Sequence, residues 1–192
     1  MLSEKARALL YEWVEAESLR KHCEAVAACM RHFAREQGAD EDLWGAVGLL
    51  HDMDYERYPN PNLDETEHPF VAVNYLREQG WSEEVCRAIL SHANYANVER
   101  ITPMEKTLFA VDELAGFVTA VTLVRPDRSI NSVKISSVKK KMKDKTFAAK
   151  VNRDDIYQGA EELGMPLDEV IVHVIRALQH DAAHLGLEGA AG

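Results

Sequence analysis

Apolar residues recur at the spacing of an α-helix along almost the whole chain, which leaves little room for a sheet. Leu2, Ala6, Leu9, Leu10 and Trp13 share one face of a first helix, expected from Ser3 to Glu17. Ser18 is suited to cap a second, whose inner face reads Leu19, His22, Val26, Met30 and Phe33 before Gly38 stops it. Asp40 caps a third, with Leu43, Val47 and Leu50 inward. The run YPNPNLDETE, residues 58–67, is a loop by its Pro, Asn and Asp content. Pro69 suits the first position of the next helix, where its missing N–H has no partner to lose, and Gly80 follows that helix's end at Gln79. Ser82 caps another, with Val85, Ile89 and His92 on one side.

Thr102, Pro103 and Glu105 form the clearest start signal in the chain: cap, first helical position and capping-box partner. The face that follows reads Leu108, Val111, Asp112, Ala115 and Val118. The run VTLVRP, residues 121–126, is β-branched but reads as the end of this helix. Asn152 caps a helix that runs to Gly164, and Pro166 opens the last long one, with Leu167, Val170, Val174, Ile175 and Leu178 inward. The tail GLEGAAG, residues 186–192, is expected to fray. The expected fold class is all-α, one domain of about nine helices over residues 1–192.

Composition narrows the function classes. Hydrophobic residues make up 46% and charged residues 28%, which suits a soluble globular protein. A net charge of -10 argues against nonspecific nucleic-acid binding but leaves room for a small anionic ligand at a locally positive site. No apolar run approaches the roughly 20 residues of a membrane span, and Met1-Leu2-Ser3-Glu4-Lys5 is not a signal peptide. Cys23, Cys29 and Cys86 lack CxxC spacing and read as reduced, partly buried thiols, so the expected compartment is the cytoplasm.

Ligand-type side chains recur on the apolar faces. His22 lies among Leu19, Val26 and Phe33; His51 and Asp52 end the face of Val47 and Leu50. His92 lies with Val85 and Ile89, Asp112 with Leu108 and Ala115, and His68 stands at a helix start. A buried titratable group is costly unless it is paired, hydrogen-bonded or bound to a metal. One such histidine is ordinary; four imidazoles and two carboxylates together suit one or two divalent transition metals: iron, manganese, zinc, cobalt or nickel.

The order His22 … His51-Asp52 … His68 … His92 … Asp112 resembles the extended pattern of the HD-domain superfamily, metal-dependent enzymes named for the adjacent His-Asp pair. The resemblance covers Leu19 to Phe117, and the segment 127–185 is similar to the C-terminal part of small HD and HDIG-type hydrolases of bacteria and archaea. It implies a single HD-type helical bundle. It further implies that His22, His51, Asp52 and Asp112 bind a first metal, that Asp52 bridges, and that His68 and His92 help hold a second. Many HD proteins read His-Asp-x-Gly-Lys, whereas this chain reads His51-Asp52-Met53-Asp54-Tyr55. Asp54 is then either an orienting partner of a ligand imidazole, a proton acceptor in catalysis, or a solvated carboxylate at a helix end. His92 is followed by Ala93 and no Gly-Tyr-Pro occurs, which disfavours an HD-GYP cyclic-dinucleotide phosphodiesterase. The His-Asp-Thr-x-Glu-Asp run of guanosine-tetraphosphate hydrolases is not matched either.

A second His-Asp pair, His180-Asp181 with His184 one turn on, is expected to be a solvated helix end, since no third ligand follows it. The lysine-rich run offers Lys134 and Lys139, and beyond it Arg153, for a substrate phosphate; Lys21, beside His22, is a further catalytic candidate with Asp52 and Asp54. The expected activity is metal-dependent hydrolysis of a small phosphate ester, such as a nucleotide. The alternatives are a di-iron oxygenase of the same superfamily and a non-catalytic nucleotide- or metal-binding module.

Overall fold

Two long helices organise the chain because both are buried on nearly every side. In the computed structural model, which describes residues 1–189, α2 spans Glu17–Gln37 and α6 spans Pro103–Leu123. Every residue from Cys23 to Met30 is buried, as are Leu108, Val111, Leu114, Phe117 and Val118 of α6. Around them stand α1 (Leu2–Trp13), α3 (Glu41–Leu50), α4 (Phe70–Glu78), α5 (Glu83–His92), α7 (Ile135–Met142), α8 (Arg153–Leu163), α9 (Leu167–His180) and the short α10 (Ala182–Leu185). No strand occurs among the described residues, so the fold class is all-α, with nine helices of eight residues or more. No helix among them is long and apolar enough to cross a membrane.

Glycine sets two close crossings. A Cβ on Gly48 of α3 would meet the Ala27 Cα of α2 at 2.6 Å, and one on Gly159 of α8 would meet the Ala110 Cα of α6 at 2.6 Å. The α2–α3 crossing fixes the spacing between His22 on one helix and His51 at the end of the other. Capping follows the sequence at Asp40, Ser82, Thr102 and Asn152, whose side chains each accept from backbone N–H groups of the first turn.

Several expectations change. The first helix stops at Trp13, not Glu17, and α2 starts at Glu17 with Ala16, not Ser18, as its cap. The break is held from a distance: the Glu56 carboxylate accepts from Glu15 N at 2.8 Å and Ala16 N at 3.0 Å. Pro69 is the cap of α4 and Phe70 its first residue. The thiols of Cys23, Cys29 and Cys86 are free and fully rather than partly buried. The tail does not fray at its start: Leu187 is buried, its carbonyl accepts from Ile130 N at 2.9 Å, and Glu188 pairs with Ser129 in an isolated bridge. Residues 190–192 of that tail lie outside the described residues.

The second His-Asp pair lies at an exposed helix end, as expected, with His180 and His184 exposed, but its Asp181 and His184 are not idle. Asp181 pairs with Arg31 at 2.8 Å and His184 approaches Glu24 at 3.2 Å, so the C-terminal helices are tied to α2. Among the described residues the His180 ring bonds only to its neighbour Asp181, at 2.8 Å.

Candidate metal centre

Five segments deliver the ligand-type side chains. His22 comes from α2, His51 and Asp52 from the end of α3, His68 from just before α4, His92 from the last residue of α5 and Asp112 from the middle of α6. Ending α3 at Leu50 matters: His51, its cap, keeps helical φ and ψ while the chain turns through Asp52, so adjacent side chains reach the same place from different angles.

Backbone and carboxylate acceptors select one tautomer for three of the histidines. His51 Nδ1 lies 2.8 Å from Gly48 O, His92 Nδ1 bonds to Ile89 O, and His68 Nδ1 lies 2.7 Å from Asp54 Oδ1. A carbonyl oxygen only accepts, so the Nδ1 of His51 and of His92 carries the proton, and an ionised Asp54 demands the same of His68. In each neutral ring Nε2 is left with its lone pair facing inward, the arrangement a metal ligand needs.

The inward atoms form two trios. His22 Nε2, His51 Nε2 and Asp112 Oδ1 are 3.0–3.3 Å apart. His68 Nε2 and His92 Nε2 lie 3.4 and 3.5 Å from Asp52 Oδ1. The other oxygen of Asp52, Oδ2, faces the first trio, 3.7 Å from His22 Nε2 and 3.6 Å from His51 Nε2. Donors held about 2.0–2.2 Å from an ion sit about 3.0–3.5 Å from one another, so these spacings fit one ion in each trio with Asp52 between them.

Charge favours the same outcome. Burial raises the pKa of Asp52 and Asp112, but His51 and the other imidazoles outweigh it and hold both carboxyls below the usual range. Burial lowers His51, yet the two carboxylates raise it to about 9, so a proton sits where a cation is wanted. A metal ion bound there would take the place of that proton.

Asp54 occupies the orienting position among the alternatives open to it. It is fully buried, accepts from His68 Nδ1 and from Ala72 N, each at 2.7 Å, and is neither solvated nor in the cavity wall. Tyr95 adds a hydroxyl that donates to His68 O at 2.9 Å.

The trios open into a cavity of about 600 Å³. Beyond the ligands its wall includes Tyr55, Asn94, Tyr95, Phe109, Glu113, Lys150, Asn152 and Asp155. Burial, with the charge of Asp112 beside it, raises Glu113 to about 7. The basic residues singled out from the sequence lie elsewhere. Lys21 pairs with Glu17 at 2.7 Å, Lys139 with Asp168 at 2.8 Å, and Lys134 is exposed at the start of α7. Arg153 spends its guanidinium on backbone carbonyls of residues 144–151. Lys150, from the same basic run, is the one that reaches the cavity; in a segment without periodicity nothing in the sequence distinguishes it. Glu113 carried a weak signal, being next to Asp112.

A model of the HD domain matches residues 19–116, half of the chain and all six ligand-type positions. The chain belongs to the HD-domain family. Most members of the HD superfamily are metal-dependent hydrolases, and the two trios give this HD domain groups that can hold divalent metal. Curated proteins and solved structures return no match to the chain.

Proposed function

We propose that this HD protein is a phosphohydrolase that uses two divalent transition metals, among iron, manganese, zinc, cobalt and nickel, to hydrolyse a small phosphate ester. The observation that carries the reading is Asp52, whose two oxygens face different trios. When bound, such a metal pair supplies an activated water and neutralises charge on a phosphoryl group. Asp52 would contribute one oxygen to each ion's set of donors. His22, His51 and Asp112 would complete one set, and His68 and His92 the other. Asp54 keeps His68 from turning, and the buried walls of α2 and α6 keep the donors rigid, so little reorganisation is needed at reaction. The partner is a small anionic molecule rather than nucleic acid or membrane, in keeping with the net charge of -10. Three free buried thiols fit a reducing cytoplasm.

The test loads the purified chain with each metal in turn, and reads metal content, phosphate release from a panel of esters, and oxygen consumption. Two ions per chain with phosphate release is expected, and Asp52→Ala should lose metal and activity together. Full activity in metal-free Asp52→Ala, or oxygen uptake without phosphate release, overturns the reading.

A further inference from the structure

We infer that His32 and His173, with Glu36 and Glu169, form a second metal site, which clamps α2 to α9 around a divalent transition ion of the zinc class. The site is separate from the Asp52 centre and independent of its reaction: His22 and His32 stand about 15 Å apart along the axis of α2. Contacts between α2 and the C-terminal helices run in opposite order along the chain. Glu24 meets His184 at 3.2 Å, Arg31 meets Asp181 at 2.8 Å and His32 meets His173 at 2.9 Å. The helices are therefore antiparallel here. One turn beyond the histidine pair, in the same direction, α2 carries Glu36 and α9 carries Glu169. Residues four apart share a helix face, so each histidine has a carboxylate one turn along its own face.

The imidazole pair is shaped for an ion. His32 Nε2 and His173 Nδ1 face each other across 2.9 Å, with the ring of the buried Phe33 centred 5.1 Å from that of His173. Two nitrogens about 2.0–2.1 Å from a tetrahedral ion sit about 3.4 Å apart, so the rings need part by only about half an ångström. Without an ion, one ring donates its proton to the other. The far nitrogens, His32 Nδ1 and His173 Nε2, bond to no other group among the described residues, so that proton has another place to go and both facing nitrogens can present lone pairs. His51, His68 and His92 differ, since acceptors at Nδ1 fix their tautomers. Burial, then the charge of His173, lowers the pKa of His32, so a proton competes weakly for its lone pair.

The carboxylates close the site. Glu36 and Glu169 are exposed, and among the described residues no third ligand atom joins the two nitrogens within 4.8 Å, so each carboxylate closes by turning its own side chain. The charge of Glu36 already acts on His32, against the burial. Of the two guanidiniums that also act on His32, Arg35 is bonded to Glu41, and Arg176 leaves α9 from the turn on the other side of His173. Two imidazoles and two carboxylates suit zinc, cobalt or nickel rather than calcium or magnesium.

The test counts zinc bound to the full chain at equilibrium with a competing chelator, in the wild type, in His32→Gln, and in His32→Ala combined with His173→Ala. Both variants should hold one ion fewer than the wild type, whatever number the Asp52 centre holds. Glu36→Gln combined with Glu169→Gln should weaken that ion about tenfold or more, because two anionic donors become neutral. Zinc should also raise the thermal midpoint of Asp52→Ala more than that of Asp52→Ala combined with His32→Gln. Urea unfolding in the presence of chelator checks that each variant folds. Equal zinc content in the wild type and both histidine variants overturns the site. Undiminished affinity in the carboxylate variant overturns the four-ligand set.

Discussion

His68 Nδ1 donates to Asp54 Oδ1 across 2.7 Å inside a fully enclosed contact, and Asp54 Oδ2 accepts from Ala72 N at the start of α4. One carboxylate thus fixes the imidazole of a candidate ligand and the helix behind it. In Asp54→Asn the amide oxygen can satisfy only one of the two donors. The expected result is a folded protein whose second metal binds about 10–100-fold more weakly. Metal titration should show the loss at one of the two ions; two ions bound as tightly as in the wild type would refute the orienting role.

Gly48 has no room for a side chain. Alanine there would put its Cβ 2.6 Å from the Ala27 Cα, so α3 must move away from α2. Gly48→Ala should destabilise the protein by about 1–3 kcal/mol and weaken metal binding, because His51 moves with α3. Gly116→Ala is the control: its Cβ would lie 3.5 Å from His22 Nδ1, an ordinary contact. Urea unfolding of both variants checks the contrast.

Arg7 forms two bonds to Glu24, at 2.6 and 2.9 Å, and Glu24 is 4% exposed in its side chain. Burial raises the Glu24 pKa, but Arg7 outweighs it, and the carboxyl sits below its ordinary 4.5. A depressed carboxyl stabilises the fold above its unfolded pKa, and that contribution fades as pH falls through the folded value. Arg7→Ala strands the buried charge and should cost about 1–3 kcal/mol, less than a fully enclosed pair because Arg7 is partly exposed and His184 remains. Denaturation at neutral pH measures the loss, which should shrink in acid once Glu24 is protonated.

His32 Nε2 lies 2.9 Å from His173 Nδ1, well away from the metal centre. Burial, then the charge of His173, lowers the His32 pKa from 6.5. Below that value the unfolded chain takes up a proton that the folded one refuses, so stability present above pH 6.5 declines as pH falls toward the lowered folded pKa. Replacing His32 by Gln should flatten this part of the profile. Midpoints of thermal unfolding for both proteins across about pH 5–8 give the difference, and parallel curves would exclude His32 as its source.

The sequence by itself determined most of the helices and which histidines and aspartates point inward with the core. A helix turns through a fixed angle per residue, so His22, His92 and Asp112 declare their faces through the apolar residues three and four positions away. Asp40, Ser82, Thr102 and Asn152 declare their helix starts by chemistry that acts within one turn. Tertiary structure decided whatever depends on partners far along the chain. The break between α1 and α2 is set by Glu56, forty residues on from Ala16. Asp54 is an orienting group because His68 and Ala72 close over it, and Asp181 and His184 are tethers because Arg31 and Glu24 face them. Lys150, rather than Lys134, Lys139 or Arg153, is in the cavity wall because Arg153, over the Phe117 ring of α6, holds the backbone at Ala148 and Val151 beside it. The division of the six ligand-type side chains into two trios with Asp52 between them belongs to the same class: periodicity aims a side chain inward, but only the convergence of five segments fixes which of its oxygens faces which neighbour.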